Sequence, residues 1–354
     1  MQKKLIALAV AGIMAAPMAA QAASAEVYGK VRLSVDMNDN GDTTVGNEDS
    51  AIALTSHSSR LGFKGSEDLD GGLSALYQFE AQVDTDDGAD LTSSMRDTFV
   101  GLSGDFGTVL LGKLSTPYKS ATKKIDPFGD TAADYNAVVK HDTRANNAIA
   151  YVAPKMGDVS VAVAYVTNTS AGTEMDDAAT MTEAEADKTA ISLSVAYSAD
   201  GLGVSFAHES LGALGGNDAG GNPSDMESTK IGVSYDMDAT TFGLVYQMNE
   251  DGAVAAVDQD VVYVSVTHKI DGLTLKGAIG QLGETTSGAS NGGDMLALGV
   301  TKSYSKNVEL YALYASMSND TSGANGLKKV KSSGVAGADV STLSAGINLK
   351  FSSM

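Results

Sequence analysis

The chain has 354 residues, with 24 basic and 44 acidic side chains, no cysteine and no tryptophan. The net charge of -20 argues against a nucleic-acid partner, because contacts with phosphates require a basic surface. The absence of cysteine excludes disulfides, thiolate metal sites and a cysteine nucleophile.

The first residues have the pattern of a bacterial export signal. Two lysines precede an apolar run from Leu5 to Met18, and small residues follow. Sites of the A-x-A type end at Ala22 and at Ala25, and we favour cleavage after Ala25. We therefore expect residues 1–25 to be a signal peptide rather than a membrane anchor, and 26–354 to be one mature domain. Loss of two lysines and no acid changes the net charge from -20 to -22.

A strict alternation of apolar and polar residues begins at Glu26. Val27, Val31 and Val35 share one face, while Lys30 and Arg32 lie on the other. This pattern predicts a strand with one face out of water. Sixteen segments can be identified as strands, and they begin near Glu26, Ser58, Leu73, Arg96, Thr108, Ala148, Val159, Thr189, Gly203, Lys230, Thr241, Asp260, Leu273, Met295, Val308 and Thr342.

The connections between these segments alternate between short turns and long loops. Asp200-Gly201 and Asp271-Gly272 are typical of hairpin turns, whereas the segment from Leu114 to Asn147 is long. A barrel in an outer membrane sorts its connections in this way. Charges on the polar faces require a wet interior, and sixteen strands enclose an aqueous channel. We predict an all-β fold, a 16-stranded antiparallel transmembrane β-barrel with short periplasmic turns and long extracellular loops.

Four stretches in the first third of the mature chain resemble the general Gram-negative porins. They are Val27–Gly29, Ser59–Leu69, Phe99–Thr108 and Arg144–Tyr151. The resemblance implies a trimeric outer-membrane diffusion pore for small hydrophilic solutes. It also implies that the third long loop, about 114–147, folds into the barrel and narrows it. The family usually ends on an aromatic residue that the assembly machinery reads, whereas this chain ends Phe351-Ser352-Ser353-Met354.

The third long loop carries three aspartates at a spacing of four residues. A helical turn would place them on one face, opposite basic side chains of the barrel wall. The predicted constriction therefore has an acidic side, Asp126, Asp130 and Asp134, and a basic side, Arg32, Arg60 and Arg96. The first two arginines share the polar faces of their strands, and Arg96 follows from the resemblance. Such rows set a transverse field and an ion preference. The alternative is an ordinary solvated loop.

The expected function is passive diffusion of ions and small hydrophilic solutes, mildly cation-selective because the mature chain is acidic. A solute-specific channel and a surface-binding barrel or adhesin with a blocked lumen are the alternatives. The expected partners are two further copies in a homotrimer, outer-membrane lipid, lipopolysaccharide, the assembly machinery and the permeant solutes. No nucleophile elbow, H-E-x-x-H or P-loop motif occurs in the sequence, so we expect no enzymatic activity, cofactor or metal site.

Overall fold

The computed structural model describes residues 25–41, 50–87, 94–167, 189–211, 226–251, 258–286, 290–330 and 335–353. The strands in these ranges are β1 (Glu26–Asp39), β2 (Ser50–Ser56), β3 (Arg60–Leu69), β4 (Leu73–Gln82), β5 (Thr98–Gly104), β6 (Gly107–Ser115), β7 (Arg144–Val152), β8 (Val159–Val166), β9 (Ala190–Ala199), β10 (Leu202–Leu211), β11 (Met226–Met237), β12 (Thr240–Asp251), β13 (Gln259–Ile270), β14 (Leu273–Leu282), β15 (Gly293–Ser303), β16 (Val308–Asn319) and β17 (Val340–Ser352). One α-helix, α1 (Pro117–Thr122), and 3₁₀ turns at Asp70–Gly72 and Tyr135–Ala137 complete the regular structure of these ranges. No helix within them is both long and apolar enough to cross a membrane.

The strands form one closed antiparallel ring. From β3 onward each strand pairs with the next, and β17 returns to β1 in a register that runs from Tyr28↔Ser352 to Asp39↔Ser341. Both β2 and β3 pair with β1, at its second and first halves respectively, and therefore occupy a single position in the wall. The seventeen segments thus build a 16-stranded barrel, and the predicted fold class is confirmed.

The second wall position is interrupted at 57–59, a detail that the sequence pattern does not predict. Alternation places this strand's start near Ser58, yet β2 already pairs with β1 from Ser50 onward. The polar run Ser56–Ser59 resembles a turn in the sequence. In the structure Ser58 has a φ of 55°, which breaks the ladder locally, while the His57 amide still donates to the Arg32 carbonyl at 3.0 Å.

The wall has its apolar face outside and its polar face inside. Leu54, Val264 and Ile279 are exposed on the outer surface, whereas Ser34 and Gln247 are buried on the inner side. A strand that alternates apolar-out with polar-in matches a barrel in lipid, because closure leaves no backbone group unpaired in hydrocarbon. Residues 1–24, which contain most of the predicted signal peptide, and Met354 lie outside the described residues.

Candidate functional site

The segment between β6 and β7, residues 116–143, folds into the barrel, and we call it the inner loop. It starts with α1, where the Thr116 hydroxyl caps the helix by accepting from the Lys119 amide at 3.2 Å. The buried Tyr118 then donates its amide to the Ser192 hydroxyl of β9 at 3.0 Å. The first turn of the inner loop is therefore fixed to β9.

Glycines on the wall let the inner loop approach closely. A Cβ atom on Gly232 would lie 2.7 Å from Ile125 Cδ1, and one on Gly243 would lie 2.6 Å from Ile125 Cγ2. The Ser265 hydroxyl also donates to the Ile125 carbonyl at 2.6 Å. Further along, Phe128 packs against Gly299 of β15 in the same way. The loop thus lies against β11–β15 instead of filling the centre.

A buried ion pair holds the returning half of the inner loop. Lys230 Nζ of β11 lies 2.6 Å from Asp142 Oδ1 and 4.0 Å from the centre of the Tyr118 ring. The Tyr135 hydroxyl donates to the second Asp142 oxygen at 2.6 Å. Lys230 has no exposed surface. A buried charge requires a partner, so this pair ties the loop to the wall at one position.

At its tip, the inner loop contacts β1 and β3 through Asp130. One oxygen of its carboxylate lies 3.0 Å from Lys30 Nζ and 2.5 Å from Arg60 Nη2. Arg32 Nη1 donates to the carbonyls of Gly129 and Asp130, both at 2.6 Å. Burial raises the pKa of Asp130, but the charges of Arg60, Lys30 and Arg32 outweigh it and hold that pKa well below its usual range. Asp130 is therefore an anion under all physiological conditions.

The other two predicted aspartates face the interior of the loop. Asp126 accepts from the amides of Phe128 and Tyr135, at 2.8 and 3.1 Å, and from the Tyr263 hydroxyl at 3.0 Å. Asp134 accepts from the Asp130 amide at 2.7 Å. Burial, and then the charge of Asp134, raise the pKa of Asp126 to about 8. Both carboxyls therefore stabilise the fold of the inner loop, and Asp126 also binds it to β13.

The helical turn that would align the three aspartates does not form. Residues 123–134 fold as successive turns, and Asp130 itself has a φ of 60°. The expectation that a helical turn places them on one face is therefore wrong, because Asp126 and Asp134 instead accept from backbone amides of these turns. The role of all three in ion passage stays a prediction.

The predicted basic residues divide between two partners. Arg32 and Arg60 contact the loop tip, as described, whereas Arg96 Nε lies 2.6 Å from Glu80 Oε1 of its own wall. Arg144 Nε pairs with Asp97 Oδ1 at 2.8 Å beside it. Sequence reasoning did not assign Lys30, Glu80, Asp97 and Arg144 to the site, although the polar faces of β1 and β4 already carried the first two.

The charges where the inner loop meets the β1–β7 wall form what we call the constriction ring. Its members are Lys30, Arg32, Arg60, Arg96, Lys123 and Arg144, with Glu80, Asp97 and Asp130. Six basic side chains thus lie against three carboxylates. Each carboxylate has a basic partner within 3.0 Å, while the Lys123 side chain is exposed on the loop. The ring is therefore positive, although the chain as a whole is acidic.

Comparison with known proteins agrees with this architecture. The major outer membrane protein P.IB of Neisseria meningitidis serogroup B / serotype 15 (strain H44/76) is 33% identical over 180 residues, which are 49% of this chain and 51% of that protein. The chain thus spans about half the length of the curated relatives that it matches.

Two solved structures resemble the whole barrel. An anion-selective porin from Comamonas acidovorans superposes with a TM-score of 0.77 at 25% identity, over 93% of this chain and 100% of that one. The trimer form of OmpT from Vibrio cholerae has a TM-score of 0.66 at 19% identity, over 94% and 100%. A family model described as Gram-negative porin matches residues 7–322. The chain therefore belongs to the Gram-negative porin family, and it is located in the outer membrane of a Gram-negative bacterium.

Proposed function

We propose that the chain is a passive diffusion porin for ions and small hydrophilic solutes, and that it works as a homotrimer. A closed wall with a polar inner face supports a water-filled lumen, and the inner loop supports a narrow zone within it. The structurally similar OmpT of Vibrio cholerae is described as a trimer form, which supports the oligomeric state.

The proposed ion preference is mildly anionic, and one observation carries it. Lys30, Arg32 and Arg60 converge on the single carboxylate of Asp130 at the loop tip. A permeating ion passes these groups at close range, whereas charges beyond about 8–10 Å are screened at physiological salt. The similarity to an anion-selective porin points the same way.

The cation preference predicted from the net charge rests on residues distributed along the whole chain. Residues 168–188, for example, carry six acidic side chains and one lysine in a predicted extracellular loop. The sign of the selectivity therefore decides between net charge and local geometry as its cause.

The deciding experiment is the conductance of purified protein in a planar bilayer, with the reversal potential in a salt gradient. We expect steps in groups of three and a reversal potential that favours anions. Lys30→Gln with Arg60→Gln should move it toward cations, whereas Lys302→Gln, at the exposed end of β15, should not. A cation-favouring wild type would overturn the anion proposal. Well-folded protein without steps would instead favour the surface-binding barrel.

A further inference from the structure

A groove of about 500 Å³ crosses the outer face of β13, β14, β15 and β16. Its lining includes Val262 and Val264, which point outward from the first half of β13. This strand ends at Ile270 and is followed by the short turn Asp271-Gly272. Short turns mark the periplasmic side of an outer-membrane barrel, so the groove lies in the extracellular half of the lipid-facing surface.

Two neighbouring rows of outward side chains line the groove, and the rows differ in polarity. The row nearer the periplasm is mainly apolar, and its members pair directly across the strands: Val264, Ile279, Leu296 and Ser316. The row nearer the cell exterior is mainly polar and pairs in the same way: Val262, Gln281, Asp294 and Ser318. The outward apolar band of a membrane barrel spans the hydrocarbon of the bilayer. The change in polarity therefore places the groove at the boundary between the acyl chains and the headgroups.

Asp294 brings a negative charge to this boundary. Its side chain is exposed, and within the described part of the chain it forms no ion pair and no side-chain hydrogen bond, while the other residues of the lining include no basic side chain. The Ser318 hydroxyl on the neighbouring strand donates to a second carboxylate, that of Asp339, at 3.4 Å. A carboxylate at the edge of hydrocarbon is less well hydrated than one in bulk water, so a cationic group beside it is favourable.

We propose that the groove binds an amphiphile of the extracellular leaflet whose headgroup carries an ammonium group. An acyl chain covers the apolar row, in which Ile279 is 58% exposed, and removes that surface from contact with water. The ammonium group pairs with the Asp294 carboxylate through a charge-assisted hydrogen bond. The volume of the groove is within the range of about 300–1,000 Å³ that is typical of small-molecule sites. The site is on the outside of the barrel and does not depend on the proposed ion preference.

The absence of tryptophan from the chain allows a direct test by fluorescence. Ile279→Trp places the only tryptophan of the protein in the groove. Tyr165→Trp is the matched control, because Tyr165 is the exposed seventh residue of β8 as Ile279 is of β14. Each variant is folded into vesicles of equal parts phosphatidylethanolamine and phosphatidylglycerol, in which either the first or the second lipid is brominated. Bromine quenches a tryptophan that it contacts, so the two vesicles report which lipid occupies the site.

We expect phosphatidylethanolamine to occupy the groove with an association constant about threefold higher than that of phosphatidylglycerol, as one exposed ion pair would produce. Tyr165→Trp should be quenched equally by both lipids. In the Ile279→Trp background, Asp294→Asn should remove the preference. Asp271→Asn, which removes a carboxylate from an exposed periplasmic turn, should preserve it. Leu296→Trp is a second reporter in the same apolar row, and the folding of every variant is checked by its mobility on a gel without heating.

The outcomes separate the possible occupants of the groove. Equal quenching by the two lipids at Ile279→Trp and at Leu296→Trp would overturn the ammonium headgroup, as would the same preference at Tyr165→Trp. A preference that persists in Asp294→Asn would overturn the role of this carboxylate. A groove tryptophan that neither lipid quenches, while Tyr165→Trp is quenched, would mean that a second copy of the chain covers the groove, and the proposal would fail.

Discussion

Asp130 combines two roles in the inner loop. It pairs with Lys30 and Arg60 across the lumen, and it is also the acidic member of the constriction ring nearest the loop tip. The tip does not depend on this carboxylate alone, because Arg32 binds two backbone carbonyls beside it. The charge of Asp130 can therefore be changed while the loop keeps its place.

Replacing Asp130 with Asn should make the pore more anion-selective. A unit charge about 10 Å away in water changes the energy of an ion by about 0.4 kcal/mol, which is roughly a twofold change in occupancy. We expect the ratio of anion to cation permeability to rise by about this factor, measured from the reversal potential. Asp271→Asn is the matched control, since Asp271 also has a positive φ, of 49°, and lies in an exposed turn. An unchanged ratio in Asp130→Asn would remove the loop tip from the selectivity.

Asp126 should make the docking of the inner loop sensitive to alkaline pH. Burial and Asp134 raise its pKa to about 8, above the value of about 3.9 for a free aspartate. Between these values the docked loop binds more protons than a released loop, so docking is stable below this range and weakens as pH rises through about 8. We expect protease cleavage after Lys123 or Lys124 to accelerate between about pH 6 and pH 9.5. Asp126→Asn should abolish this acceleration, and a wild-type loop equally resistant at both values would contradict the prediction.

At the scale of elements, the wall glycines decide where the inner loop lies. Gly243→Val would place methyl groups where Ile125 now sits, since even a Cβ would be 2.6 Å away. Overpacking of this kind costs about 1–3 kcal/mol. The displaced loop can only move toward the β1–β7 wall, so we expect a lower single-channel conductance. Gly277→Val is the control, because a Cβ there meets its nearest atoms at 3.5 and 3.7 Å, and it should conduct as the wild type does.

The strands were predictable from this sequence, whereas the contacts that fix the inner loop were not. Alternation at Val27–Val35 follows from the local pleat, so sixteen wall positions could be counted without a structure. Asp126, by contrast, is held by Tyr263, which lies 137 positions away. No local spacing contains that contact. The pairing of Lys230 with Asp142 spans 88 positions, so no local spacing predicts it either.

At the scale of the whole molecule, the barrel depends on the closure between its first and last strands. These strands pair over twelve positions, which include Gly29 opposite Phe351. The Phe351 ring covers Gly29 so closely that a Cβ there would lie 2.1 Å from Cζ. Glycine weakens a strand because it has no side chain to pack, and an aromatic residue on the neighbouring strand compensates for this loss. The last described aromatic residue of the chain thus stabilises the closure.

Phe351→Ala should lower the heat resistance of the folded barrel more than an equivalent change elsewhere on the outer surface. The ring removed is 41% exposed, so its contribution comes from contact with Gly29 and not from full burial. Phe206→Ala on β10 is the matched control, with an exposure of 43% at a position away from the closure. The midpoint of the shift from folded to unfolded mobility on a gel, after heating in detergent, measures both. Because dispersion contacts are the energy lost in each case, equal midpoints for the two variants would show that the β1–β17 closure gains nothing particular from Phe351.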